Sequence, residues 1–399
     1  MSHRRCLAEV VRDGIAPGGA GRLRIGAAAV KRKIGAAGIA ALAALAGSGS
    51  TRAEAQRAPE NVVLIVSDGL RWQEVFRGAD TALVNRRFGG VEDTAALSRA
   101  FVRGTRDSAR AALLPFVWTV VARRGQLLGD RDSAGDAVVT NGLKFSYPGY
   151  SEMITGHPDP RIDSNDGPPN PNLTVFEWLA RQPGYRGHVA VFGTWDAFPR
   201  IFNRDRSGLP IRAGWETPFP SPADSTQALL DHLYAGTTRL WGDELAYDAF
   251  MQAAVLDAVR REHPRVLFVG YGETDEWAHS RRYDQTLESA HRVDAFIAEL
   301  WNTMQRIPQY RGRTTFIITA DHGRGATRET WTDHGRDVDG AEQIWIAVLG
   351  PHTPPLGVRR TDAPVTQSQI AATLAQALGL DYRTAEPAAA APIPGAVSR

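Results

Sequence analysis

The stretch from Thr314 to Arg324 constrains this chain more than any other. Its first residues, Thr-Thr-Phe-Ile-Ile-Thr, are β-branched or apolar, which is typical of a buried strand. The run ends at Asp321, His322 and Gly323, so an acid and an imidazole stand side by side where the strand stops. Ligands of open α/β sheets bind beyond the carboxyl ends of the strands. The stretch therefore predicts a buried strand with two metal ligands at its functional end.

Two other apolar runs end in the same way. The run that begins at Asn61 ends in Asp68, and the run that begins at Val266 reaches Asp275 and, four residues later, His279. An Asp and a His four residues apart lie on one face of a helix. A further histidine precedes the apolar run at 343–349. The candidate metal ligands are Asp68, Asp275, His279, Asp321, His322 and His334.

This ligand set predicts two metal ions. Carboxylates and imidazoles without thiolates suit catalytic Zn²⁺, and Mn²⁺ is a second candidate. Six ligands are too many for one open catalytic zinc, but they suit two metals about 4 Å apart. A single Asp at a strand end is usually a turn or cap residue, whereas a joint pattern at successive strand ends is not explained in that way.

The order of the elements predicts the fold class. Strands alternate with helices, which indicates an α/β fold with a doubly wound, mainly parallel central sheet flanked by helices. Residues 194–223 show no periodicity and are expected to form a small cap beside the site. The strands are predicted at 61–67, 188–192, 265–270, 314–320 and 343–349, and the main helices at 71–77, 107–124, 172–181, 225–233, 244–261, 280–306 and 366–378.

The chain is predicted to have three parts. Residues 1–55 read as a signal or targeting segment, because basic residues precede a short apolar run and Ala53-Glu54-Ala55 offers a cleavage site. Residues 56–385 are the expected catalytic domain, and residues 386–399 an Ala/Pro-rich disordered tail. We therefore expect an exported protein, periplasmic or secreted, without a stable membrane span.

Composition excludes several functional classes. Outside residues 1–55 the chain carries 37 Lys/Arg against 41 Asp/Glu, a balance that does not favour nucleic acid. The single cysteine, Cys6, lies in the targeting segment, which excludes a cysteine nucleophile and a thiolate zinc site in the rest of the chain. The oligomeric state is not predicted.

Over residues 60–382 the sequence resembles the alkaline phosphatase superfamily, in particular type I phosphodiesterase/nucleotide pyrophosphatase-like enzymes. The strand-Asp-Gly opening, the Asp-x-x-x-His pair, Ala-Asp-His-Gly and the later His-Gly occur in the same order. The resemblance implies two zinc sites. One would be formed by Asp275, His279 and His334, and the other by Asp68, Asp321 and His322 together with the nucleophile.

The resemblance also implies a nucleophile and a phosphoryl-binding asparagine. Ser146 stands before Tyr147-Pro148 at the family's nucleophile position and would complete the second metal site, with Ser151 as its competitor. Asn165 is the candidate for the phosphoryl contact, and Asn141, Asn170 and Asn172 are alternatives. The sequence has Tyr-Pro-Gly-Tyr where diesterases more often have Phe-Pro-Asn-His, and it lacks the sulfatase signature Cys- or Ser-x-Pro-x-Arg.

Lys144 is the only lysine after residue 33 and stands two residues before Ser146. On an extended segment the two side chains would point to the same side. Lys144 is therefore a second candidate for substrate binding, and its charge would favour monoester dianions over diester monoanions.

Together these observations predict an exported two-metal hydrolase of small-molecule phosphate esters that acts through a phospho-serine. A phosphodiesterase or nucleotide pyrophosphatase, or another phosphoryl or sulfuryl transferase of the superfamily, is the alternative. An inactive metal-binding surface protein on the same scaffold is the rival from another class. The presence of Ser146 together with all six ligands argues against it.

Overall fold

The computed structural model describes residues 60–133, 135–219 and 222–398. The targeting segment predicted for residues 1–55 lies outside the described residues. Within them, no helix has the length and apolar character that crossing a membrane requires.

Eleven strands form two sheets in the described part of the chain. The larger sheet has eight strands in the order β10-β2-β9-β7-β1-β6-β4-β5, and the smaller has the order β11-β3-β8. The strands are β1 Asn61–Ser67, β2 Gln126–Leu128, β3 Ala137–Val138, β4 Val189–Gly193, β5 Ile211–Ala213, β6 Val266–Tyr271, β7 Thr314–Thr319, β8 Gln343–Ile344, β9 Ile346–Leu349, β10 Gly357–Val358 and β11 Val365–Thr366.

Helices flank the large sheet, as the alternating pattern predicted. They are α1 Trp72–Arg77, α2 Arg86–Gly89, α3 Thr94–Phe101, α4 Arg106–Leu113, α5 Ala122–Arg124, α6 Ser146–Thr155, α7 Val175–Ala180, α8 Phe198–Ile201, α9 Arg204–Ser207, α10 Ser225–Ala235, α11 Asp248–Arg261, α12 Glu273–His279, α13 Tyr283–Arg306 and α14 Gln369–Ala377. A π-helix, Val117–Val121, and a 3₁₀-helix, Tyr382–Thr384, complete the set.

Strand β1 lies at the centre of the sheet, and its alternation divides the core. Val63 and Ile65 pack on the face covered by α11 and α13, whereas Val62, Leu64 and Val66 pack on the face covered by α6, α7 and α14. Successive side chains of a strand point to opposite faces, so a strand covered on both sides must be apolar throughout. The predicted α/β fold with a doubly wound, mainly parallel sheet is confirmed, with β9 antiparallel to both of its neighbours.

The apolar run at 343–349 forms two strands instead of one. Gln343 and Ile344 pair with β3 in the small sheet, and the strand that begins at Ile346 pairs with β7 in the large sheet. Trp345 separates them, and its indole N–H donates to the Leu70 carbonyl at 3.0 Å. An unbroken apolar run does not reveal such a change of sheet, because both halves are buried.

Several predicted helices begin or end at other residues, and in two of them the local cause is visible. The helix predicted at 107–124 ends at Leu113, before Pro115, and resumes as the π-helix, since a proline removes a backbone donor. The helix predicted at 172–181 begins at Val175, and Thr174 caps it by accepting from the Glu177 N–H at 3.1 Å. Asn172, the first residue of the predicted helix, lies before the cap and donates to Asp159.

The C-terminal segment from residue 386 is packed, in contrast to the disordered tail expected from its composition. Ile393, Ala396 and Val397 are buried in the core on the α6 and α14 side of the sheet. The Ala390 N–H donates to the Gly156 carbonyl at 2.8 Å, so the segment is fastened to the end of α6. Its few apolar side chains are enough to fix it, because they are buried in the same core as those of α6 and α14.

We expect Ile393→Ala to lower the free energy of unfolding by about 2–4 kcal/mol, the usual cost of truncating a fully buried aliphatic side chain. Ile393 is 1% exposed. Urea unfolding measures the difference, and Leu356→Ala, at a site that is 55% exposed, is the control. Equal stability of the two variants would contradict the packed segment.

Candidate metal centre

The register of the central strands brings the predicted ligands together. Strand β1 pairs in parallel with both β6 and β7, and Val66 lies opposite Thr319. Parallel strands end at one edge of the sheet. Asp68, Asp275 and Asp321, each of which follows one of these strands, therefore meet at that edge.

Asp68, Asp321 and His322 form the first cluster, with one ligand atom of each within 4.8 Å of the others. The Nε2 atom of His322 lies 3.3 Å from Asp68 Oδ1 and 3.5 Å from Asp321 Oδ2. Both of these carboxylate oxygens are buried without a hydrogen-bond partner. Buried oxygens are left without a partner only at considerable cost, so their arrangement fits a bound cation.

Asp275, His279 and His334 lie near one another beside the first cluster. The Nε2 atoms of His279 and His334 lie 2.9 Å apart, and His279 Nε2 lies 3.1 Å from Asp275 Oδ2. Donor atoms around a tetrahedral zinc are about 3.4 Å apart, given Zn–N distances of about 2.0–2.1 Å. Asp275, His334 and His322 also form a group within 4.8 Å, so His322 is shared by the two clusters.

The tautomer of His322 is set by its surroundings. Its Nδ1 lies 2.9 Å from the Gly323 carbonyl, which can only accept, so Nδ1 carries the proton. Nε2 then presents a lone pair, the state in which imidazole binds a metal. Ser146 Oγ lies 3.3 Å from this nitrogen, which places the serine at the first cluster.

The pKa values of the three aspartates are not shifted in the same direction. Burial and then the charge of Asp275 raise the pKa of Asp68 well above its usual value, and burial and then Asp68 raise the pKa of Asp321. Burial also acts on Asp275, but Arg324 and His279 hold its pKa well below the usual range. Two buried carboxylates that repel each other are stabilised by a cation between them. The ligand set therefore fits divalent metal ions.

Helix α6 positions the predicted nucleophile. Ser146 is its first residue, and the backbone N–H of Tyr147 donates to Asn165 Oδ1 at 3.0 Å. Glu152, fully buried on the same helix, accepts hydrogen bonds from Thr140 and from Ser368. These contacts fix the helix and, with it, the Ser146 side chain.

The alternatives to Ser146 and Asn165 lie elsewhere. Ser151 is buried and accepts from Asn170 Nδ2 at 3.1 Å, away from the cavity at the metal clusters. Asn141 binds Glu152, and Asn172 binds Asp159. Only Asn165 among the four candidate asparagines lines that cavity together with Ser146.

Lys144 does not have the geometry assumed from the sequence. Its φ of 56° is left-handed instead of extended, so the two-residue spacing from Ser146 does not align the side chains. Its ammonium lies 3.4 Å from Glu342 Oε2 and donates to the Val338 carbonyl at 3.2 Å. Lys144 is absent from the lining of the cavity. The structure thus removes the reason for assigning it to the phosphoryl group.

Two residues that the sequence did not single out complete the metal centre. Arg324, 2% exposed, donates to the Asp275 carboxylate and, at 3.0 Å, to the Asp275 carbonyl. Gly69 has a φ of 58°, and a Cβ there would lie 2.4 Å from Asp275 Oδ1. The position of Arg324, directly after Asp-His-Gly, was the only sequence signal for it.

A cavity of about 330 Å³ opens onto the metal clusters. Arg200 is its only Lys or Arg side chain, and this guanidinium makes no ion pair within 4.0 Å among the described residues. One of its nitrogens donates to the Asn165 carbonyl at 3.2 Å. The cavity is lined by Asp68, Ser146, Asn165, Asp166, Trp195, Asp196, Arg200, Glu244, Leu245, Gly272, Asp275, Glu276, His279 and His334.

Residues 236–382 match the family model of the metalloenzyme superfamily. This match confirms the resemblance to the alkaline phosphatase superfamily, and it includes every predicted metal ligand except Asp68 and Ser146. The comparison with curated proteins finds no match.

Three solved structures are similar to this chain. A candidate sulfatase from Bacteroides thetaiotaomicron has 14% identity and a TM-score of 0.50 over 84% of this chain and 72% of the other. A phosphonate monoester hydrolase from Silicibacter pomeroyi has 16% identity and a TM-score of 0.46 over 80% and 73%. An alkaline phosphatase superfamily protein from Vibrio parahaemolyticus has 14% identity and a TM-score of 0.46 over 81% of this chain and 67% of the other. At such identity, the first similarity shows a shared fold and nothing about substrate.

We expect purified protein to bind about two divalent metal ions per chain. Asp321→Ala and Asp275→Ala should each reduce the metal content, whereas Asp333→Ala, next to His334 but outside both clusters, should not. Elemental analysis measures the content, and chelation should lower the melting temperature because the metals bind only the folded state. Absence of metal after reconstitution with zinc or manganese would contradict the site.

We expect Arg324→Gln to destabilise the chelated protein by about 3 kcal/mol, since it leaves Asp275 buried without its cationic partner. The loss should be smaller in the metal-loaded protein, because a bound cation also offsets the Asp275 charge. Urea unfolding with and without chelator measures both values. An equal loss in the two states would show that Arg324 and the metal act on Asp275 independently.

Proposed function

We propose that this chain, whose residues 236–382 match the metalloenzyme superfamily, is a two-metal hydrolase of phosphate esters. The observation that carries the proposal is the convergence of Ser146 with both ligand clusters on one cavity. Ser146 Oγ lies 3.3 Å from His322 Nε2, and His322 belongs to both clusters. A nucleophile that acts between two metal ions requires such a position.

In the proposed reaction, Ser146 Oγ forms a bond to phosphorus while the bond from phosphorus to the leaving alcohol oxygen breaks. The serine proton passes to solvent, and the alcohol takes one from water. A water molecule then cleaves the phospho-serine, restores the Ser146 hydroxyl and releases the second product. Asn165 and Arg200, which line the cavity with Ser146, would bind phosphoryl oxygens.

Two divalent cations at these residues would lower the pKa of the Ser146 hydroxyl and offset the charge around phosphorus. Zinc fits the imidazole and carboxylate set best, and manganese is the second candidate. The protein holds Ser146 at the start of α6 and fixes the lone pair of His322 toward it.

The charge of the cavity argues for diesters over monoesters. The monoester preference derived from the sequence depended on Lys144, which is paired with Glu342. In its place the cavity has one arginine and several carboxylates without ion pairs. A diester monoanion is repelled less by these carboxylates than a monoester dianion or a nucleoside polyphosphate. We therefore propose a phosphodiester as the preferred substrate.

The other proposals from the sequence concern the location and the rival class. The targeting segment supports export to the periplasm or the medium.

An inactive metal-binding protein on this scaffold would not need Ser146 beside His322, and a hydrolysis screen decides between the hydrolase and the inactive protein. The screen should include phosphate monoesters and diesters, phosphonates and sulfates, with diesters expected to be turned over fastest.

We expect Ser146→Ala to lower kcat by about three orders of magnitude or more, because a nucleophile acts as a unit with the groups that activate it. Its metal content should equal that of the wild type. Ser151→Ala, buried on the same helix but outside the cavity, is the control and should keep its activity. Full activity of Ser146→Ala would overturn the proposed mechanism.

A further inference from the structure

One side of the active-site cavity is formed by four carboxylates that do not belong to the metal clusters. We call Asp166, Asp196, Glu244 and Glu276 the acidic wall. Three come from loops, and Glu276 follows Asp275 on α12. The wall therefore adjoins the proposed reaction centre.

The backbone keeps two members of the acidic wall together. The Asp196 N–H donates to the Glu244 carbonyl at 2.9 Å, and Trp195 forms a β-bridge with Leu245. Partial burial raises the pKa of Asp196. The charge of Arg200 lowers this pKa, and the charges of Glu244 and Asp166 raise it. The carboxylates thus act on one another electrostatically.

None of the four carboxylates makes an ion pair or a side-chain hydrogen bond within residues 60–133, 135–219 and 222–398. The three aspartates of the metal clusters and two divalent cations would leave a net charge of about +1. Arg200 is the only Lys or Arg side chain that lines the cavity together with the acidic wall. If the substrate carried only a negative charge, most of the negative charge of the acidic wall would remain uncompensated.

The cavity also has an aromatic surface beside the acidic wall. Trp195 is half-buried and lines the cavity, with Tyr150 at 6.4 Å and Phe198 at 6.3 Å between ring centroids. Tryptophan is the aromatic side chain that binds organic cations most strongly. The combination of carboxylates and an indole differs from the all-oxygen lining of an inorganic cation site.

The acidic wall and the first metal cluster share this cavity. Asp68 is 6% exposed and lines the cavity, and its Oδ1, an atom assigned above to a bound cation, has no hydrogen-bond partner. An ester held at the metal cluster would therefore lie in the cavity that the acidic wall lines.

The spacing of the acidic wall disfavours a further metal ion. Among the described residues, Asp68, Asp275 and Asp321 belong to groups whose possible metal-ligating atoms lie within 4.8 Å of one another. No member of the acidic wall belongs to such a group. Calcium requires several oxygens at about 2.3–2.6 Å, which places those oxygens close together. A larger cation with spread charge fits more widely spaced carboxylates.

We propose that the acidic wall and Trp195 bind an ammonium group on one alcohol of the ester, so that the substrate is an aminoalkyl or quaternary ammonium phosphodiester. This inference rests on the proposed function for the ester and extends it to the substrate class. The phosphoryl group would lie between Ser146, Asn165 and Arg200, and the cation against the wall. The charges of such a zwitterionic substrate match the two sides of the cavity.

The test compares two chromogenic diesters with the same leaving group, 4-nitrophenyl phosphorylcholine and 4-nitrophenyl 3,3-dimethylbutyl phosphate, in which a neutral carbon replaces the ammonium nitrogen. We expect kcat/KM to be about tenfold higher for the cationic diester, since an organic cation gains from both carboxylates and an indole. Asp196→Asn and Glu244→Gln should each reduce this ratio severalfold. Asp243→Asn, beside Glu244 but outside the cavity lining, is the matched control and should retain it.

Calorimetric titration with choline, in the metal-loaded protein, measures cation binding without turnover. Saturable binding that weakens in Asp196→Asn but not in Asp243→Asn supports the acidic wall, even if neither diester is hydrolysed and the proposed function fails. Equal kcat/KM for the two diesters overturns the inference and leaves the proposed function intact. Competition of choline with Ca²⁺ or Zn²⁺ for a third metal site would also overturn it, because the wall would then be a metal site.

Discussion

The metal centre depends on the repulsion between buried carboxylates at the ends of the central strands. Asp68 and Asp321 lie side by side because β1 and β7 are parallel neighbours, and the buried sheet that places them there also removes them from water. The fold thus creates an electrostatic cost that a cation relieves. Asp275 differs from these two residues, because the cationic side chain of Arg324 donates to its carboxylate. The second cluster is thereby closer to electrostatic balance than the first.

The sequence predicted the parts of the site that depend on local pattern. An apolar run that stops at an acid predicts a strand and the position of a candidate ligand together, so the six candidate ligands could be named before their distances were known. Ser146 and Asn165 required the family resemblance, because a serine before a turn has no pattern of its own. The β-strand pairing then brought these residues to one cavity.

The features that the sequence did not predict depend on the backbone or on distant contacts. Lys144 was assigned from an assumed extended segment, but its left-handed conformation turns it toward Glu342. Asp166, Asp196 and Glu244 come from loops without periodicity, and Asp196 and Glu244 are held together by the pairing of residues 194–196 with 244–246. The break at Trp345 and the packed C-terminal segment likewise follow from tertiary contacts that override composition.

The fastening of α6 has a consequence for the order in which the protein matures. The helix carries Ser146, but its far end is held by Ala390, and Gly156 leaves so little space that an added Cβ would lie 2.6 Å from Ala389. A polypeptide synthesised or translocated from its N terminus presents Ser146 long before Ala390. The helix therefore gains this contact only after the segment that contains Ala390 has emerged.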